Sequence, residues 1–187
     1  MSLTIIANFV AFQVAWFVTV IGAAQGYTLL GVVAVALWVS VYWYWQPQAR
    51  SDWMLLLWTA GVGVVADSLL TISGSISFPA TTGSGYPTTL WMVALWINLG
   101  ACLRHSMGWL RNRYVLGLAC GALGGPAVYL AGQALMALHV HLPVTVACVW
   151  AMAMPGLIWL EQHTRPPVSL VPEKPKTSEL YSSGDSL

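Results

Sequence analysis

The sequence predicts an all-α polytopic membrane protein, a bundle of six transmembrane helices with both termini cytoplasmic. Of the 187 residues, 58% are hydrophobic and only 7% are charged, against about a quarter charged in a soluble domain. Mean hydropathy is +0.71, and six successive runs approach the roughly 20 apolar residues that cross a bilayer. The basic residues gather at alternate connections between those runs, as the positive-inside rule requires.

The first run, Leu3 to Ala24, has no Lys or Arg before it and exceeds the length of a signal-peptide core, so it is expected to be a retained span. Only Gln25 and Gly26 separate it from the second, Tyr27 to Trp45. With Gly22 they predict a tight reversal, since one continuous helix of about forty residues is too long for a bilayer about 30 Å thick. The third and fourth runs are Trp53 to Ile72 and Thr88 to Trp109, and the last two are Tyr114 to Leu138 and Pro143 to Leu160. The membrane domain is therefore expected over residues 1–162, and the Pro-, Ser- and charge-rich stretch 163–187 as a disordered cytoplasmic tail. With the N-terminus inside, Arg50, Arg111, Arg113, Arg165, Lys174 and Lys176 all fall on the cytoplasmic side, leaving only Arg104 within a span.

Aromatic residues cluster where interfaces are expected: Tyr42 to Trp45 and Trp53, Tyr86 and Trp91, Trp109 and Tyr114. Amphipathic rings favour headgroup depth, so they read as anchors rather than as a sugar or base platform. The uncharged stretch Ser73 to Pro87 reads as an irregular outer loop with an interfacial turn around Ile76 to Phe78. In helix five, Gly117, Gly121 and Gly125 recur every four residues and mark a close-packing face, which predicts a central position for this helix. Pro126 and Pro155 each remove an amide from their helices.

The candidate site residues are the polar groups within the spans: Asn8, Gln13, Asp67, Asn98, Arg104, His105, Ser106 and Gln133. An ionisable side chain in a span costs about 2.5 to 3.5 kcal/mol, so each needs a partner or a purpose. At 1.5 Å per residue, Arg104 lies roughly 7 Å from one end of its run and Asp67 about 20 Å up helix three. Two polar layers follow: Asn8, Gln13, Arg104 and His105 in the inner one, and Asp67 with Gln133 and Asn98 in the outer. Helical angles separate Arg104 from His105 by about 100°, so one is expected to face the bundle and the other lipid. Arg104 reads equally as a snorkelling side chain or an anion clamp. His105 and Asp67 are the candidate catalytic groups, each with a structural hydrogen-bonding role as its alternative.

Other chemistries lack support. Cys102, Cys120 and Cys148 lie singly in apolar runs, and His139 with His141 have no third ligand, so neither metal nor cofactor is expected. No nucleotide-binding, hydrolase or metalloprotease motif is present. A net charge of +1 gives no basic footprint for nucleic acid.

Five segments carry a family resemblance: NFVAFQVAWFVTVIGAAQG from Asn8, VADSLL around Asp67, SFP at Ser77, LWMVALWINLGACLRHSMGWL from Leu90 and GALGGPAVYLAGQAL from Gly121. With them the chain resembles a small bacterial inner-membrane family catalogued as domain of unknown function 2878. The resemblance implies neighbours among envelope and fatty-acyl-modifying proteins, hence a lipid-related role as enzyme or accessory subunit. It carries over to His105 better than to Arg104, because the family pattern there is an Asn-His-Ser triplet. Expected partners are membrane lipid and another membrane or lipid-modifying protein. A transporter using Asp67, or a structural subunit docking through the helix-five glycines, remains the alternative.

Overall fold

The computed structural model describes residues 3–82 and 87–165. Six helices follow in order: α1 (Leu3–Ala24), α2 (Thr28–Trp45), α3 (Trp53–Ile72), α4 (Leu90–Leu103), α5 (Tyr114–Ala134) and α6 (Pro143–His163). All but α4 are long and apolar enough to cross a membrane. Their outward faces carry large apolar side chains, such as Phe9, Val14 and Phe17 on α1 and Leu29, Val33 and Leu37 on α2. Soluble monomers rarely expose such continuous apolar surface. The protein is a helical membrane protein.

Helix α4 departs from the expected span. It has 14 residues, about 21 Å of helix, and the chain unwinds at Arg104 instead of continuing to Trp109. Ten of its residues, including Trp91, Trp96 and Asn98 through Leu103, are buried. The helix is wrapped by α1, α2 and α3. At its C-terminal end Ala101, Cys102 and Leu103 are buried in protein, and irregular backbone is tolerated at membrane depth under that condition. It is α4 that occupies the middle of the bundle. Helix α5 packs chiefly on α6, so the central place expected for it from its glycines is corrected.

The turns follow from local chemistry. The Gly26 amide bonds the Ala23 carbonyl and the Tyr27 amide that of Gly22, at 2.9 and 2.8 Å. Gly26 sits at φ +84°, where a glycine ends a helix without steric cost. The same paired bonds close α3 at Gly74 and α5 at Met136. Helices α5 and α6 both run on through their prolines. Between α3 and α4, β1 (Ile76–Ser77) pairs antiparallel with β2 (His139–Val140). The outer turn expected around Ile76 to Phe78 is thus a strand pinned to the α5–α6 connection. Tyr86 and the tail beyond 165, with Lys174 and Lys176, lie outside the described residues.

Candidate functional site

Past Leu103, the amides of His105 and Met107 both bond the Cys102 carbonyl, at 3.1 and 2.9 Å. That turn cancels the helical divergence of Arg104 and His105. Both reach Asp52: Arg104 Nη1 donates to Oδ1, and His105 Nε2 lies 2.9 Å from Oδ2. Arg104 also donates to Glu161 Oε1 at 3.4 Å, to the Glu161 carbonyl at 2.9 Å and to Thr164 Oγ1 at 3.0 Å. Its side chain is 9% exposed and those of Asp52 and Glu161 are 7% and 4%. The guanidinium therefore ties the starts and ends of three helices together and does not snorkel. The expectation that one of the pair turns to lipid is corrected, because a shared carboxylate holds both.

Asp52 and Glu161 were missed in the sequence because neither lies inside an apolar run. Their signal was depth: each flanks a span at the same end as Arg104. His105 gains the orienting carboxylate that a general base needs, together with an edge contact from Tyr42 at 5.0 Å.

Asn8 donates to the Ala101 carbonyl at 3.2 Å and accepts from Ser106 Oγ at 2.8 Å, fixing α1 against the turn. Asn98 accepts from Trp38 Nε1 at 2.9 Å and donates to the Phe12 carbonyl at 3.1 Å, so it joins α1, α2 and α4 and does not approach Asp67. Gln13 is half-buried and takes part in neither network.

Asp67 is fully buried and accepts from Trp96 Nε1 at 2.9 Å and from the Tyr129 hydroxyl. Trp150 stacks on Trp96 with centroids 4.6 Å apart and meets Tyr129 edge-on. Gln133, expected beside Asp67, instead accepts the Val140 amide at 2.6 Å. It sits one helical turn beyond Tyr129, nearer the end of α5, and is held there by the Val140 amide. Asp67 and Arg104 keep separate partners in separate layers.

Between α1 and α5, with α4 as its floor and α6 behind, lies a cavity of about 300 Å³. It runs from Ser106 and Met107 at one end to Trp91 and Leu138 at the other. Cys102 and Trp91 on its floor are about 16 Å apart along the helix. The walls are apolar and rich in rings, among them Phe12, Trp16, Trp96, Tyr129 and Trp150. Trp91, expected in an interfacial belt, is 1% exposed and forms part of this wall. Its indole N–H has no hydrogen-bond partner among the described residues. Both donors to Asp67 are wall residues, so the carboxyl braces the cavity from behind. Ser106 lines it, whereas Arg104 and His105 stand outside.

The helix-five glycines divide by direction. A Cβ on Gly117 would fall 2.3 Å from Ile158 Cδ1, on Gly121 2.2 Å from the Trp150 carbonyl oxygen, and on Gly125 2.3 Å from Trp150 Cγ. This stripe is filled by α6 of the same chain. Gly124 faces open space within the cavity, with nothing within 4 Å of a Cβ. At the strand clamp, His141 Nε2 lies 2.8 Å from Ser77 Oγ. Among the described residues no three His, Cys, Asp or Glu side chains form a metal-ligand cluster.

The model of the family described as protein of unknown function (DUF2878) matches residues 5–156. The chain belongs to that family. No curated protein and no solved structure matches it. The matched span includes Asn8, Asp52, Asp67, Trp96, Arg104, His105 and Tyr129 and stops before Glu161. The cavity and most of its bracing are therefore within the family region.

Proposed function

We propose that the protein has a lipid-related role in a bacterial inner membrane, holding the acyl chain of a membrane lipid in the cavity between α1 and α5. It acts either as an enzyme on that lipid or as an accessory subunit to a lipid-modifying protein. The observation that carries this reading is the elongated apolar cavity with one hydroxyl-bearing end, at Ser106. Lipid-like ligands suit such a shape, since apolar walls give affinity and a few polar groups fix orientation. Asp67 supports the same reading over transport, because both of its oxygens are taken by wall residues. Both chain ends are taken to be cytoplasmic, in line with the positive-inside rule.

Purification in mild detergent followed by lipid mass spectrometry tests this. The wild-type protein should retain a lipid set that differs from bulk membrane. Gly124→Trp, whose Cβ would meet nothing within 4 Å and whose ring would take up cavity space, should lose it. A bulk-like profile unchanged by Gly124→Trp would remove the reading.

A further inference from the structure

Resting on that reading, we infer that the cavity selects an anionic amphiphile, with its phosphate or carboxylate held by Arg111 and Arg113 at the Ser106 end and its chain directed toward Trp91.

Asp52 and Glu161 are committed to Arg104, His105 and Arg165, and Asp67 to Trp96 and Tyr129. From residue 68 to residue 160 the sequence holds no other acid. Arg111 and Arg113 are both exposed, and neither is paired with an acid among the described residues. Two cations without an acidic partner among the described residues therefore stand on the short connection whose Met107 and Trp109 line the cavity.

The position of Arg113 is specific. It immediately precedes α5, the helix that walls the cavity through Cys120, Gly124 and Val128. The Ser106 hydroxyl already donates to Asn8, but its oxygen can still accept from a protonated headgroup or a water. The lining itself is uncharged at both ends, so the difference lies beyond it: Arg111 and Arg113 follow the lining residue Trp109 in the chain, whereas Trp91 at the opposite end offers only a neutral N–H. An amphiphile with its anion at the Ser106 end matches both ends at once. The reverse orientation would put a bare anion among uncharged side chains, where desolvation opposes it.

Native mass spectrometry of the full chain, titrated separately with phosphatidylglycerol, palmitate and a diacylglycerol that carries no anionic group, tests the inference. Phosphatidylglycerol or palmitate adducts should exceed those of diacylglycerol about tenfold, the effect of one charge-assisted hydrogen bond. Arg111→Gln with Arg113→Gln should abolish that preference while leaving diacylglycerol binding unchanged. A preference for phosphatidylglycerol alone identifies a lipid phosphate, and one for palmitate alone a free acyl carboxylate. Gly124→Trp should remove all adducts. Equal binding of all three lipids, still lost in Gly124→Trp, would overturn the headgroup inference and leave the acyl cavity standing. Adducts that survive Gly124→Trp would overturn both. If the anionic preference survives in the arginine double variant, the charge selection lies elsewhere and the inference fails.

Discussion

At the scale of single residues, Arg104 and Asp67 each hold several helices, and each fails in its own way. Removing the guanidinium leaves two buried carboxylates, Asp52 with His105 alone and Glu161 with Arg165 alone. Breaking a buried ion pair from one side costs about 3 to 5 kcal/mol. Arg104→Ala is expected to lower the detergent melting temperature sharply, whereas Arg104→Lys, a point charge without the planar fork, recovers only part of the loss. A melting temperature for Arg104→Ala equal to wild type would show that the cluster contributes nothing. Asp67→Leu strands two buried donors, Trp96 Nε1 and the Tyr129 hydroxyl, at roughly 1 to 3 kcal/mol each. Asp67→Asn keeps one acceptor and should fall between Asp67→Leu and wild type on the same melting curve. An equal loss in both variants would argue that the charge of Asp67, and not its acceptor pair, matters.

Among the elements, α5 separates two uses of glycine that its sequence does not distinguish. Gly121→Leu drives a side chain into the Trp150 backbone, and overpacking of this kind costs about 1 to 3 kcal/mol or more. Gly124→Leu points into the cavity and should melt within about 0.5 kcal/mol of wild type, as a substitution away from packed features does. Comparing the two by thermal unfolding checks the assignment, and equal losses would mean that Gly124 is packed after all. Periodicity made the packing face legible because small residues recur every four positions. It did not say which helix fills that face, since a glycine stripe fits any close neighbour. Helix ends were legible where composition changes abruptly, as at Trp53 and Pro143. They were not legible at Leu103, where apolar residues continue while the backbone turns. There the deciding interaction is Asp52 with Arg104 and His105, a contact 52 residues away in sequence.

For the whole molecule, hydropathy specified how many helices there are and charge specified which connections share a face. The cavity was not legible, because it exists only where α1 and α5 stand apart across α4. The shared face is internally consistent in the fold: Arg104 at the end of α4 meets Asp52 at the start of α3 and Glu161 at the end of α6. The proposed orientation of that face toward the cytoplasm is open to a direct measurement. In a background with Cys102, Cys120 and Cys148 replaced by Ala, single cysteines at Arg111 and at the half-exposed Leu142 report opposite faces. In intact cells an impermeant thiol reagent should label Leu142→Cys and spare Arg111→Cys until the membrane is broken. The reversed pattern would place Arg111 and Arg113 outside, against the distribution that cytoplasmic Lys and Arg normally follow. It would also direct the headgroup end of the cavity toward the opposite leaflet, so the lipid it draws on would come from there.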